Sequence, residues 1–360
     1  MDADTRRAWV DIDLGALVRN AKKLAARAGA PLLPMVKADA YGLGALPVAR
    51  ALASLDPWGF GVAAVREGEE LRLGGIRRPV LIFTPVLPAE FADIRRHGLT
   101  PTFGDPRVME AWADSGGGAW HLAVDTGMSR SGIPWSSMGA VSDLVRRCPP
   151  SGAFTHFHSA DYNDGSIDLQ QTRFRDALSS LGAVPPLLHA ENSPAVERQS
   201  PSPWSLVRPG VFLYGAGGGE GSSLHPENVA HLYARVVEIR HVCDGEGVSY
   251  GATYRASGER RIATLAAGYA DGYRRALSNR GAVLVRGRRV PVVGLVTMDM
   301  TMVDVTDVEC DVGDVATLLG GSGDAVLDLN EVARTAEMSP YELLVGLRLR
   351  ATRRYVGGDA

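Results

Sequence analysis

The chain has 360 residues, 45% of them hydrophobic and 22% charged, and a formal net charge of −3. This balance fits a soluble globular protein long enough for two cored domains, and it lacks the basic surplus that a nucleic-acid partner requires. Three widely separated cysteines, Cys148, Cys243 and Cys310, make neither a metal-ligand spacing nor a disulfide framework, so a reducing compartment is expected. The first residues, Met1 to Arg7, lack the apolar core of a signal peptide. No apolar run is long enough to cross a bilayer, and a cytoplasmic location is expected.

In chain order, Trp9-Val10-Asp11-Ile12 comes first, and residues 1–13 are free to pair with either domain. Short apolar runs then alternate with helix-like stretches. The strand candidates are Leu32–Val36, Gly59–Val62, Val80–Phe83, Thr100–Phe103, His121–Val124, Ala153–His156, Leu187–Ala190 and Ser205–Val207. Between them lie amphipathic segments such as Ala45–Leu55, Pro106–Ala113 and Ile167–Leu181. Strand then helix, repeated about eight times, predicts an α/β fold with an N-terminal (β/α)8 TIM-type barrel. The Gly/Ser-rich run from Gly215 to Ser223 marks a domain boundary, giving domains at 1–225 and 226–360. Beyond it, β-type runs dominate: Tyr233–Val242, Gly247–Tyr254, Arg261–Ala267, Ala282–Thr297, Thr301–Val305 and Val315–Leu319. They predict a mostly β C-terminal domain. One late helix is signalled by Ser339 as cap, Pro340 in the first turn and Glu342 three residues after the cap.

Five polar residues fall at or just past the C-terminal ends of different proposed barrel strands: Lys37, Arg130, His156, Asn192 and Arg208. In a barrel those ends meet at one mouth. Lys37 follows an apolar strand. Read alone, it fits either a desolvated, reactive amine capable of Schiff-base chemistry or a strand-end lysine snorkelling to water.

The segment Val36-Lys37-Ala38-Asp39-Ala40-Tyr41-Gly42-Leu43-Gly44 resembles the pyridoxal-phosphate lysine segment of the alanine racemases, and further matches follow in the family's order along almost the whole chain. The resemblance implies that Lys37 binds the aldehyde of pyridoxal 5'-phosphate and that Tyr41 lies by its phosphate. In Asp125–Gly132, Arg130 would lie near the cofactor's phenolic oxygen and the substrate. Ala123 stands where the family often has a lysine, sometimes carbamylated, so Arg130 must be held differently here. In Phe154–Asp161, His156 rather than His158 would stack near the pyridine ring. Asn192 and Ser193 would belong to a phosphate loop, Gly210 would let backbone approach closely, and Arg208 would face the pyridine nitrogen. Arginine only donates, so that nitrogen would stay unprotonated and proton exchange would be favoured over transamination. Val248–Tyr254 resembles the segment of the catalytic tyrosine, Tyr250, which the family brings from a partner subunit. A tyrosine, ordinarily titrating near pH ~10, needs nearby cations to serve as a base. Tyr269, Met298 and Asp299 match further substrate-facing positions. Leu349 stands where some members place a phosphate-binding tyrosine.

The resemblance thus implies a homodimer with shared sites that interconverts L- and D-alanine, with Lys37 and Tyr250 as two bases. It implies a small amino-acid substrate and neither a nucleic-acid nor a membrane partner. A broad-specificity or serine racemase and a decarboxylase of the same architecture remain open. A non-catalytic pyridoxal-phosphate carrier would resemble the barrel alone. A cofactor-free barrel hydrolase would need paired acids at strand ends, where only Asp125 and Asp161 occur.

Overall fold

Short runs such as Val80-Leu81-Ile82 are apolar at every position, which suits strands covered on both faces. They form a parallel sheet in the order Phe60–Val62, Val80–Ile82, Thr100–Phe103, His121–Asp125, Gly152–Phe154, Leu187–His189 in the computed structural model, which describes residues 5–217, 222–322, 325–347 and 350–358. Residues 32–36 and 205–207 close this sheet through parallel bridges from Leu32 to Val207, Met35 to Gly61 and His189 to Leu206. At the seam, Leu33 N donates to Val207 O at 2.8 Å and Gly61 N to Pro34 O at 2.9 Å. The result is the expected eight-stave barrel with helices outside.

Among the helices that the sequence reading passes over, the longest is Leu14–Ala28. Asp13 caps it, accepting from Ala16 N at 2.9 Å, and Gly29 ends it at φ 62°. Its buried residues Leu17, Ala21, Leu24 and Ala28 form one apolar stripe.

The second sheet has nine strands among the described residues and is built around the long strand Ala230–Val242. One edge runs through Val315–Ser322, Ala282–Val285 and Arg288–Pro291, while Arg260–Leu265 and Thr301–Asp304 extend the other half of the long strand. The expected mostly β domain therefore forms. The N-terminal strand Ala8–Asp13 also joins this sheet. It lies antiparallel to Ala230–Val242 on one side and parallel to Thr352–Val356 on the other. A division of the chain at 225/226 is a proposal, and this strand crosses it. Trp9, Val10 and Ile12 are buried there, and Arg354 pairs with Asp11 across the parallel seam, with a 2.6 Å bond from Nε. The expected helix begins at Pro340 with Ser339 as cap. Met1–Asp4, Gly218–Gly221 of the glycine-rich run and Leu349 lie outside the described residues. No helix among the described residues is long and apolar enough to cross a membrane.

Candidate active site

Lys37 leaves the first barrel stave on an unusual backbone. Ala38, Asp39, Ala40 and Tyr41 follow with φ of 53°, 57°, 53° and 56°, one turn of left-handed helix. Such a conformation costs an L-residue ~1–2 kcal/mol. Ala38 and Ala40 are small and Asp39 is prone to it, while Tyr41 holds the same φ despite its bulk. Gly42 and Gly44 continue with φ of 89° and 99°, and a Cβ on Gly44 would meet Tyr355 Oη at 2.0 Å. This turn sets Lys37 against a cavity of about 420 Å³ at the C-terminal mouth of the barrel. Burial lowers the pKa of its amine, and the charges of Arg130 and Arg208 lower it further against the opposing pull of Glu67.

Arg208 forms the floor and is only 3% exposed. Its guanidinium donates to Thr155 O at 2.8 Å, Ala190 O at 2.9 Å and His189 Nδ1 at 2.9 Å. Burial pushes it down to about 9, which leaves it charged at neutral pH. An arginine can only donate, so His189 must accept at Nδ1 and carry its proton at Nε2. That proton points to His121 Nδ1, 2.8 Å away. Both rings are buried and neutral, and His121 is pushed down to about 4 by burial and then by Arg208. Gly152 leaves room for this pair, since a Cβ there would lie 2.5 Å from the His121 ring.

His156 lies 3.4 Å from Arg208 through Nδ1. Burial first, then Arg208, Arg130 and Lys37, push it down to about 3. Its backbone oxygen accepts from Gln170 Nε2 at 3.1 Å, and the same amide donates to Thr126 Oγ1 at 3.0 Å. His158 is exposed and bonds Ser159 Oγ at 2.6 Å. Asp125 Oδ1 accepts from Gly127 N and Ser129 N at 2.9 and 3.0 Å, shaping the loop that brings Arg130 to the cavity. Arg130 lines it together with Ala123.

The opposite end of the cavity is built from hydroxyls. Ser193 Oγ accepts from Gly210 N at 2.8 Å, and Asn192 caps the following turn by accepting from Ala195 N at 3.2 Å. A Cβ on Gly210 would stand 2.5 Å from Tyr41 Oη, so only glycine leaves this corner open. Tyr41 packs on Tyr214 with ring centroids 4.6 Å apart. Tyr341, which the sequence reading passes over in favour of the position at Leu349, lines the same corner 5.8 Å from the Tyr41 ring. Its one sequence signal is its place as the second residue of the capped helix Pro340–Gly346.

One cavity thus gathers Lys37, Tyr41, Arg130, His156, Asn192, Ser193, Arg208 and Gly210. Tyr250, Tyr269, Met298 and Asp299 do not line it. They form a second group on the β domain. Tyr250 and Met298 are 73% and 52% exposed. Ala270 N donates to Met298 O at 3.1 Å, and Arg350 joins both turns by donating to Asp271 Oδ1 at 2.8 Å and Asp299 Oδ1 at 2.6 Å.

Comparison with known proteins gives a consistent picture. A family model described as the alanine racemase N-terminal domain matches residues 12–217, and one described as the alanine racemase C-terminal domain matches residues 229–355. An alanine racemase of Halothermothrix orenii is 35% identical over 376 residues, covering 98% of this chain and 99% of that protein. The crystal structure of an alanine racemase from E. faecalis superposes with a TM-score of 0.91 at 32% identity, covering 99% of this chain and 100% of that one. One from Bartonella henselae, described with covalently bound pyridoxal phosphate, gives 0.90 at 27% identity, covering 97% and 99%.

Proposed function

The chain belongs to the alanine racemase family and is an amino-acid racemase; from that premise we propose that it interconverts L- and D-alanine with pyridoxal 5'-phosphate as its cofactor. The observation that carries the reading is the convergence of a desolvated amine, a buried guanidinium and a hydroxyl-rich corner in one cavity of about 420 Å³. These donors fit a phosphorylated aromatic aldehyde. Lys37 would hold the aldehyde carbon, and Tyr41, Ser193, Asn192 and Tyr341 would surround the phosphate in the corner that a Cβ on Gly210 would fill. His156 and Arg208 would flank the ring. When bound, the cofactor withdraws electrons from the substrate's α-carbon and so acidifies its C–H bond.

The chain's own residues then do the rest. Lys37, its pKa lowered by burial, takes the α-proton from one face. Arg130 makes no hydrogen bond among the described residues, and its planar guanidinium suits the substrate carboxylate. Arg208 holds a charge opposite the ring and offers no acceptor, which favours returning the proton to carbon over transamination. Racemisation requires a second acid–base group on the far face. Tyr250 of the partner subunit fills that role in our reading, because the chain's own Tyr250 stands exposed on the β domain away from the cavity. Tyr269, Met298 and Asp299 of the partner subunit would close the substrate pocket. A homodimer with shared sites follows, and we place it in the cytoplasm.

The test is direct. The purified protein should be yellow, lose its visible band on borohydride reduction, and convert L-alanine to a racemic mixture. Lys37→Ala should be colourless and inactive. A colourless, active wild type would overturn the reading. A methyl-sized pocket separates neighbouring substrates by only ~1–3 kcal/mol per methylene, so a panel including serine measures its breadth.

A further inference from the structure

Among the described residues, the turn after Lys37 is the one place where non-glycine residues in succession hold left-handed φ. Left alone, such a turn reverts to right-handed or extended backbone. Three side chains hold it. Asp39 Oδ1 accepts from Ala45 N at 2.7 Å, within the turn's own exit. Arg353, from the outer strand of the β domain, pairs with Asp39 Oδ2 and donates to Gly42 O at 3.1 Å. Glu67 acts on the residue next to the lysine, its Oε1 accepting from Ala38 N at 2.7 Å.

Glu67 also has an ordinary task. It is the third residue of the helix Val65–Leu73, and its Oε2 reaches back to Ala63 N at 2.7 Å and Ala64 N at 3.3 Å. That task occupies one oxygen. The other spans 29 positions in sequence to the lysine turn. An N–H in the first turn of a helix has no partner within it, so Glu67 is what satisfies Ala38.

We propose that Glu67 is a positioning residue for Lys37: by pinning the Ala38 amide it holds the left-handed turn and fixes where the amine stands in the cavity. The proposal rests on Lys37 being the reactive amine. Its carboxylate also opposes the lowering of the Lys37 pKa, so its loss should shift the amine further down.

Amide exchange in the full-length protein tests it. In Glu67→Ala the amides of Ala40, Gly42 and Gly44 should exchange about tenfold faster, as a local opening would give. Competitive acylation of the cofactor-free protein should show the Lys37 midpoint moving to lower pH. kcat for racemisation should fall by about 10²-fold with less change in KM, the mark of a misplaced group. Adding Ala64→Ser supplies the helix with its own N-cap and should restore exchange in Val65–Leu73 but not in the turn. Glu67→Gln keeps one acceptor and should fall between wild type and Glu67→Ala; it carries the test if Glu67→Ala does not fold. Faster exchange confined to Val65–Leu73, or full recovery with Ala64→Ser, would overturn the proposal while leaving the racemase reading intact. A wild-type lysine that takes up no pyridoxal phosphate would overturn the racemase reading instead.

Discussion

At the scale of single residues, the cavity works by forcing charge states. Arg208 is buried and can only donate, and this fixes the protons of His189 and His121 behind it. Replacing it by an acceptor should change the reaction. In Arg208→Glu, transamination should rise relative to racemisation, measured as pyruvate formed per turnover of alanine; an unchanged ratio would count against the role given to Arg208. The histidines report the same environment. His121 at about 4 and His156 at about 3 lie below their ordinary value of 6.5, so neither imidazole should titrate above pH ~5 by NMR. The sign for stability follows. Below an unfolded value of 6.5 the unfolded chain binds protons that these native rings refuse. Their contribution is complete above that value and is lost as pH falls toward about 4 for His121 and about 3 for His156. The urea midpoint should therefore drop between pH ~7 and ~5, and drop less in His121→Gln.

At the scale of elements, the strands were legible because short apolar runs bounded by turn residues have few alternatives once eight recur. The residues at their C-terminal ends were legible for the same reason. Lys37, Arg130, His156, Asn192 and Arg208 reach one cavity because the barrel leaves them nowhere else to go. The left-handed turn was not legible. A single Asp39 between two alanines does not announce four positive φ in succession, and two of the three side chains that stabilise the turn, Glu67 and Arg353, lie far away in sequence. Tyr341 was missed likewise, since its role depends on a helix of the second domain packing over the barrel mouth. The helix Leu14–Ala28 was a different case, for Asp13 and Gly29 are ordinary start and stop signals around an apolar stripe. Asp13→Ala removes that cap and should lower stability by ~1 kcal/mol in a urea titration. Gly44→Ala should do far worse, because its Cβ would collide with Tyr355 and its φ is 99°.

At the scale of the whole molecule, the site residues fall into two groups, one lining the cavity and one not. The barrel cavity holds the amine, and the β domain displays Tyr250 and Met298 on its surface. On the proposed reading, in which Tyr250 is the second base, one chain alone lacks it at its own cavity. Activity per chain should fall on dilution in step with the loss of dimer measured by sedimentation. Tyr250→Phe should lower kcat by about 10²–10⁴-fold, the usual worth of a general acid–base group. Mixing inactive Lys37→Ala with inactive Tyr250→Phe should recover activity in the mixed dimers, since one site would then hold both intact groups. No recovery would mean that each chain works alone.

The strand Ala8–Asp13 sits between two strands that are made long after it. On the ribosome the barrel staves can emerge and close while Trp9, Val10 and Ile12 still wait uncovered. The strand Thr352–Val356, made much later, seals that nascent edge and carries Arg353 to the lysine turn in the same event. Competence is thereby tied to the making of that strand, and a chain stalled before it should leave its earliest residues open to protease and its lysine loosely held.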